Sequence, residues 1–381
     1  MKGHDNWVNC MAVLSDGNVV SGSGDRSLRI WNPSTGQCLQ LLKGHFGRIR
    51  CIQTLPNGRV VSGSEDGTLQ IWDTLKGRCV QYLEGHNGRV LCIAVLPNGC
   101  IVSGSGDNTL RVWDPSTGQC LQVLEGHRDS VRCVAVLRNG NVVSGSDDYS
   151  LRVWDPETGQ CLQPLIGHYS WIRCLTVLPN DCIVSGSSDN TLQLWNSSTG
   201  QGLQSLEEHK SWVNCVAALS EDIVVSGSGD GILHVWDLSK GDSLRQLKGH
   251  EGRVLCVAVL PNKCIISGSD DNTLRMWDYK TGQCLKILKG HNDWVNCVTV
   301  ISEDIAVSGS GDNTLRIWNL KKGECINVLE SMEVNVSHLD FSRAILLEGL
   351  PKLLWQNGAT ISESDFNKHV RPFIYKGFNN D

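Results

Sequence analysis

Along most of the chain, short β-branched and apolar runs alternate with clusters of turn-forming residues. Between His45 and Gly85 (HFGRIRCIQTLPNGRVVSGSEDGTLQIWDTLKGRCVQYLEG), the apolar segments are separated by PNG, SEDG and DTLKG. Runs of this length, bounded by Gly, Asn, Asp and Pro, predict four short β-strands joined by tight turns. The pattern then returns every 41 residues. Trp31, Trp72, Trp113, Trp154, Trp195, Trp236, Trp277 and Trp318 keep that interval, and each is followed by Asp or Asn. His4, His45, His86, His127, His168, His209, His250 and His291 keep it too, and all but His209 follow a glycine. Between each His and Trp lies Ser-Gly-Ser-x-Asp, ending at Asp25, Asp66, Asp107, Asp148, Asp189, Asp230, Asp271 and Asp312. One four-stranded unit cannot bury both its faces, whereas eight arranged radially bury each sheet against its neighbours and leave only short edges.

Gly-His, Ser-Gly-Ser-x-Asp and Trp-Asp at this spacing resemble the WD-repeat family, eight times over, across roughly residues 2 to 330. The resemblance implies an all-β, eight-bladed propeller over residues 1–330, with a C-terminal tail over 331–381 that is partly helical or disordered. It also implies that the His, Asp and Trp of each unit, with a Ser of its Ser-Gly-Ser, form a buried hydrogen-bond network. His, Ser and Asp together invite a catalytic-triad reading, but eight equivalent copies are the wrong number for one active site. Two features depart from the family: Glu208 stands where glycine precedes His209, and the chain starts at the Gly-His turn, so CINVLE at 325–330 supplies the last outer strand. Ring closure is then expected to rest on packing between the first and last blades. In the tail, DFSRAILLEGLPKLLWQNG predicts a short amphipathic helix from near Ser342, to dock on the propeller or on a partner.

Composition narrows the function. With 40% hydrophobic residues and a net charge of −6, the chain can bury a large core and lacks the polycationic character of a sequence-independent nucleic-acid binder. No apolar run approaches the ~18 residues of a membrane span, and MKGHDNWVNC lacks a secretory apolar region. The seventeen cysteines all fall on repeat phases: Cys10 and its seven equivalents, Cys38 and five, and Cys100, Cys182 and Cys264. Small apolar packing positions are expected, with no Cys-x-x-Cys, metal site, cofactor or catalytic residue. A monomer in the cytosol, or alternatively the nucleus, is expected.

Function is sought where the repeats differ. Three residues after each histidine stand Trp7, Arg48, Arg89, Ser130, Trp171, Trp212, Arg253 and Trp294, and two further on Asn9, Arg50, Leu91, Arg132, Arg173, Asn214, Leu255 and Asn296. The resemblance places both phases on the top face, beside the central channel. Trp and Arg dominate binding hot spots, so Trp7, Arg48, Arg50, Arg89, Arg132, Trp171, Arg173, Trp212, Arg253 and Trp294, with Tyr169, form the candidate site for a protein or peptide. The residue before each repeat aspartate bears on that charge. It is acidic at Glu65, Asp147 and Asp270, in the blades of Arg48 and Arg50, Arg132, and Arg253, so these arginines are expected to pair internally and leave Arg89 and Arg173 for an anionic ligand. Arg50, Arg132 and Arg173 also resemble phosphopeptide-reading propellers of the F-box class, but no arginine precedes the repeat aspartates. The expected function is a non-catalytic interaction scaffold. The alternatives are a subunit of a larger complex using the sides, bottom or tail, or an adaptor reading acidic or phosphorylated peptides.

Overall fold

The computed structural model describes residues 3–329; the tail expectations fall on residues outside this range. Eight antiparallel sheets of four strands follow one another along the chain, each built from consecutive strands. Blade 1 comprises Val8–Val13, Val19–Ser23, Ser27–Trp31 and Cys38–Lys43, from the inner to the outer strand. Blade 8 comprises Val295–Ser302, Ile305–Ser310, Leu315–Asn319 and Glu324–Leu329. This is the eight-bladed, all-β propeller expected from the repeat.

The core lies between blades. Leu28, Ile30 and Leu42 of blade 1 pack against Ile49, Val60 and Trp72 of blade 2, and the same set recurs around the ring. All eight repeat tryptophans are at most 1% exposed. The middle glycine of Ser-Gly-Ser is required by this contact: a Cβ on Gly22 would strike the side chain of Ile49 in the next blade, and one on Gly309 would strike Val8.

Blade 8 meets blade 1 through the same kind of contact. Val307, Leu315, Ile317 and Leu329 cluster with Val8, Val19 and Trp31. Asn296 Nδ2 donates to the Val8 carbonyl at 3.2 Å, the His4 amide donates to the Asn313 carbonyl at 3.2 Å, and Asn327 Nδ2 donates to the Pro33 carbonyl at 3.2 Å. Some of the other junctions use side-chain latches of the same kind. Asn9 and Asn214 donate to the Ile49 and Val254 carbonyls at 2.9 Å, and on the rim Gln122 donates to the Glu157 carbonyl at 2.9 Å. Closure therefore rests on packing and side-chain latches, with no strand exchanged into the last blade among the described residues.

The cysteines follow the expectation in part. All seventeen are free, and the inner-strand thiols are largely buried, with burial pushing Cys215 and Cys297 up to about 12. Cys284 departs from it and is exposed, whereas the other outer-strand cysteines are partly buried.

Trp236 packs on Leu192, Leu194 and Leu206 of blade 5. Trp236→Ala is expected to lower unfolding stability by about 3–5 kcal/mol, read by chemical denaturation; an unchanged midpoint would contradict this packing.

Candidate binding face

Each blade begins with a pinned turn. In blade 1, Trp31 Nε1 donates to Ser21 Oγ at 2.8 Å, Ser21 Oγ lies 2.7 Å from His4 Nε2, and His4 Nδ1 lies 2.7 Å from Asp25 Oδ2. One assignment of protons satisfies all of these groups: the indole donates to the serine, the serine hydroxyl to Nε2 of a neutral imidazole, and Nδ1–H to the carboxylate. Asp25 also accepts from the Asp5 and Ser27 amides and the Ser27 hydroxyl. Burial alone would raise the Asp25 carboxyl, but His4, Ser27 and the Asp5 amide together hold it well below the usual carboxylate range. The other seven repeat aspartates are depressed in the same way. Burial keeps His4 and His291 toward the neutral form. With every nitrogen and oxygen committed to this network, the His, Ser and Asp of each blade are structural.

The network ties the loop entering the inner strand to the turn between the second and third strands. Both lie at one end of the blade, so the residues that vary between repeats share one face. At the head of every inner strand the antiparallel register slips by one residue. Val8 pairs with Ser23 and Cys10 with Gly22, leaving Asn9 as a bulge. The same slip isolates Arg50, Leu91, Arg132, Arg173, Asn214, Leu255 and Asn296. A bulge re-aims its side chain and ends regular pairing.

The expected internal pairs form. Arg50 Nε lies 2.9 Å from Glu65 Oε1, with Arg48 at 3.9 Å from the same carboxylate. Arg132 Nη2 lies 2.7 Å from Asp147, and Arg253 Nε 2.6 Å from Asp270. These arginines remain 42–51% exposed apart from Arg50 at 39%, so each pair contributes ~0–1 kcal/mol. Arg89 is exposed and forms no ion pair among the described residues. Arg173 has no carboxylate partner either; its Nε donates to Ser188 Oγ at 2.6 Å.

The tryptophans are half-exposed, at 47% for Trp7, 45% for Trp171, 46% for Trp212 and 43% for Trp294. Arginines from neighbouring blades stack on them. Arg253 lies over Trp294 at 5.1 Å and Arg48 over Trp7 at 6.0 Å, while Trp294 and Trp7 meet across the closure at 6.4 Å between centroids. Arg132 lies over Trp171 at 5.9 Å and Arg173 over Trp212 at 4.5 Å. The variable residues thus form two groups: a continuous row over blades 7, 8, 1 and 2, and two Arg–Trp stacks over blades 4 to 6. Tyr169, at 87% exposed, stands in blade 5.

The family described as "WD domain, G-beta repeat" matches residues 1–32, 36–73, 77–114, 118–155, 159–196, 200–237, 241–278 and 282–319. The chain belongs to the WD-repeat family. WD propellers are generally protein-interaction scaffolds and are typically non-catalytic. Among solved structures, the computationally designed Ika8 protein is 36% identical with a TM-score of 0.77, over 83% of this chain and 97% of that one. Mouse WD repeat-containing protein 18 is 50% identical over 40 residues, which is 10% of this chain and 9% of that protein.

Two features of this WD propeller went unremarked in the sequence. The residue after each repeat aspartate has a positive φ, a role filled by Gly67, Gly231 and four asparagines but also by Arg26 and Tyr149 at φ 71° and 72°. Tyr149 is 45% exposed on the candidate face, in a conformation that costs a bulky residue about 1–2 kcal/mol. Its signal was a bulky aromatic at a Gly/Asn phase. The second feature explains Glu208. Elsewhere a third-strand arginine or glutamine packs against the glycine, as Arg275 does on Gly249 and Gln193 on Gly167. Blade 6 has the shorter His234, whose Nδ1 lies 3.2 Å from Glu208 and whose ring stacks on Trp236 at 5.2 Å. The turn survives, with His209 Nδ1 to Asp230 stretched to 3.4 Å.

Acid should destabilise the fold in two stages. Burial and the neighbouring His209 lower His234 to about 4, so the folded state disfavours its protonation. Stability from this group is complete above the ordinary value of 6.5 and is lost as pH falls toward 4, by up to about 3 kcal/mol. The depressed aspartates contribute stability that is lost below 3.8. Thermal melts should show both declines, and the double variant Glu208→Gly with His234→Arg should flatten the first. Tyr149→Asn should raise stability by about 1 kcal/mol, read as a higher denaturation midpoint.

Proposed function

We propose that this chain is a non-catalytic interaction scaffold whose top face binds an extended peptide or protein segment through tryptophan and arginine side chains. The observation that supports it is the placement of Trp7, Trp171, Trp212 and Trp294, half-exposed on one face and each held by a cationic or aromatic neighbour. A large ring already fixed by stacking offers contact area while losing little side-chain freedom on binding. The charge left over after internal pairing, at Arg89 and Arg173, favours a partner of acidic character. The chain acts as a monomer in the cytosol or nucleus.

A second reading has one observation behind it. Leu121, Leu162, Leu203, Leu285 and Ile326 are 42–49% exposed on outer strands, which suits a subunit packed into a larger complex by its sides.

A random peptide library displayed on phage and panned against the wild-type chain separates the two. Selected peptides should bind the folded variant Trp7→Ala, Trp171→Ala, Trp212→Ala, Trp294→Ala at least ten-fold more weakly. Unchanged affinity would remove binding from the top face and favour the sides.

A further inference from the structure

The bulge at the head of the inner strand holds one side chain per blade, and its occupants are not equally satisfied. Asn9, Asn214 and Asn296 donate to carbonyls of the next blade. Arg50 and Arg132 face Glu65 and Asp147. Leu91 and Leu255 carry no charge. Arg173 is the exception: a half-buried guanidinium that makes no ion pair among the described residues.

Its surroundings hold it in one orientation. Nε donates to Ser188 Oγ at 2.6 Å, and Nη1 lies 3.5 Å from Asn214 Oδ1. The Asn214 amide is itself fixed by its bond to the Val254 carbonyl, which leaves its oxygen toward Arg173. The guanidinium lies over the Trp212 ring at 4.5 Å. Of five N–H donors, the remaining ones are on the terminal nitrogens, a fork suited to two oxygens of one anion. Partial burial opposes the charge, and Arg132 and Arg253 add to that opposition, which Asp147 of blade 4 and the Cys174 sulfur offset only in part. A half-buried charge with neutral acceptors alone is incompletely compensated.

Blade 4 shows what completes such a site. There Arg132 occupies the same bulge, and Asp147 stands where blade 5 has Ser188, accepting from Nε at 2.8 and 2.9 Å and from Nη2 at 2.7 Å. Blade 5 is this arrangement with its carboxylate missing. We infer that Arg173, stacked on Trp212, is a subsite for a peptide carboxylate, with the ligand supplying the anion that Asp147 supplies in blade 4. The anion that completes the equivalent site in blade 4 is a carboxylate, and the blade 5 site keeps the same arginine geometry. The inference rests on the top-face reading and gives that face its partner chemistry: an acidic side chain or a free C-terminus.

The test puts the missing carboxylate back. Ser188→Asp should pair with Arg173 internally and raise the melting temperature. Binding is read by calorimetry at constant ionic strength with three probes: acetyl-Glu-Glu-Glu-amide, its Gln counterpart, and acetyl-Gln-Gln-Gln with a free C-terminus. Wild type should bind the Glu peptide, the free C-terminus or both at least ten-fold more tightly than the capped Gln peptide, and the preferred probe tells side chain from terminus. Ser188→Asp and Arg173→Gln should each abolish the difference, and Arg78→Gln, at the start of an outer strand away from that face, should keep it. No discrimination by wild type, discrimination that survives Ser188→Asp, or a preference for inorganic phosphate over the Glu peptide would overturn the assignment. Peptides that need the tryptophans but bind equally with Glu or Gln would sink this subsite and leave the top-face reading intact. Carboxylate discrimination at Arg173, with displayed peptides indifferent to the tryptophans, would do the reverse.

Discussion

The fold hangs on a serine hydroxyl in the second strand of every blade. It receives the indole N–H of the third-strand tryptophan and faces the imidazole of the incoming loop, as at Ser103 between Trp113 and His86. The proton order runs one way, from tryptophan to serine to neutral histidine to aspartate, and leaves no buried atom of the set unpaired. Each bond contributes about 1 kcal/mol net, whereas breaking one leaves a buried group without a partner at a larger cost. The loop and the turn are therefore fixed from below. The residues on their outer surface are free to change without disturbing the scaffold, and on that surface the blades diverge.

The scaffold was legible because it repeats. A 41-residue period makes the pairing of His4 with Asp25 visible as a constant spacing, and the same comparison of phases exposed the acids that neutralise Arg48, Arg50, Arg132 and Arg253. Relations that run sideways between blades were not legible. A period says which residues are equivalent, not how far a side chain reaches. Arg48 leans back to the preceding blade while Arg132, Arg173 and Arg253 lean forward, and no phase in the sequence records that choice. The bulge was hidden too, since it is a slip of register and not a residue type.

Glu208 lies between these cases. Taken by itself it is a missing glycine, but His234 is also the one histidine at a phase otherwise held by Arg or Gln, so both departures fall in blade 6. The structure joins them: a shorter side chain on the third strand makes room for a Cβ on the turn, and the carboxylate then contacts the imidazole. A paired departure within one repeat signals compensation.

The closing contact has a wider meaning. Val8 against Gly309 repeats the contact that every other pair of blades makes, and Asn296 against the Val8 carbonyl repeats the latch of Asn9 and Asn214. In its packing the ring has no privileged seam, so that contact leaves the position of the chain's ends around it arbitrary. What breaks the rotational symmetry is the chemistry displayed on one face, which gives each sector of an otherwise uniform wheel its own address.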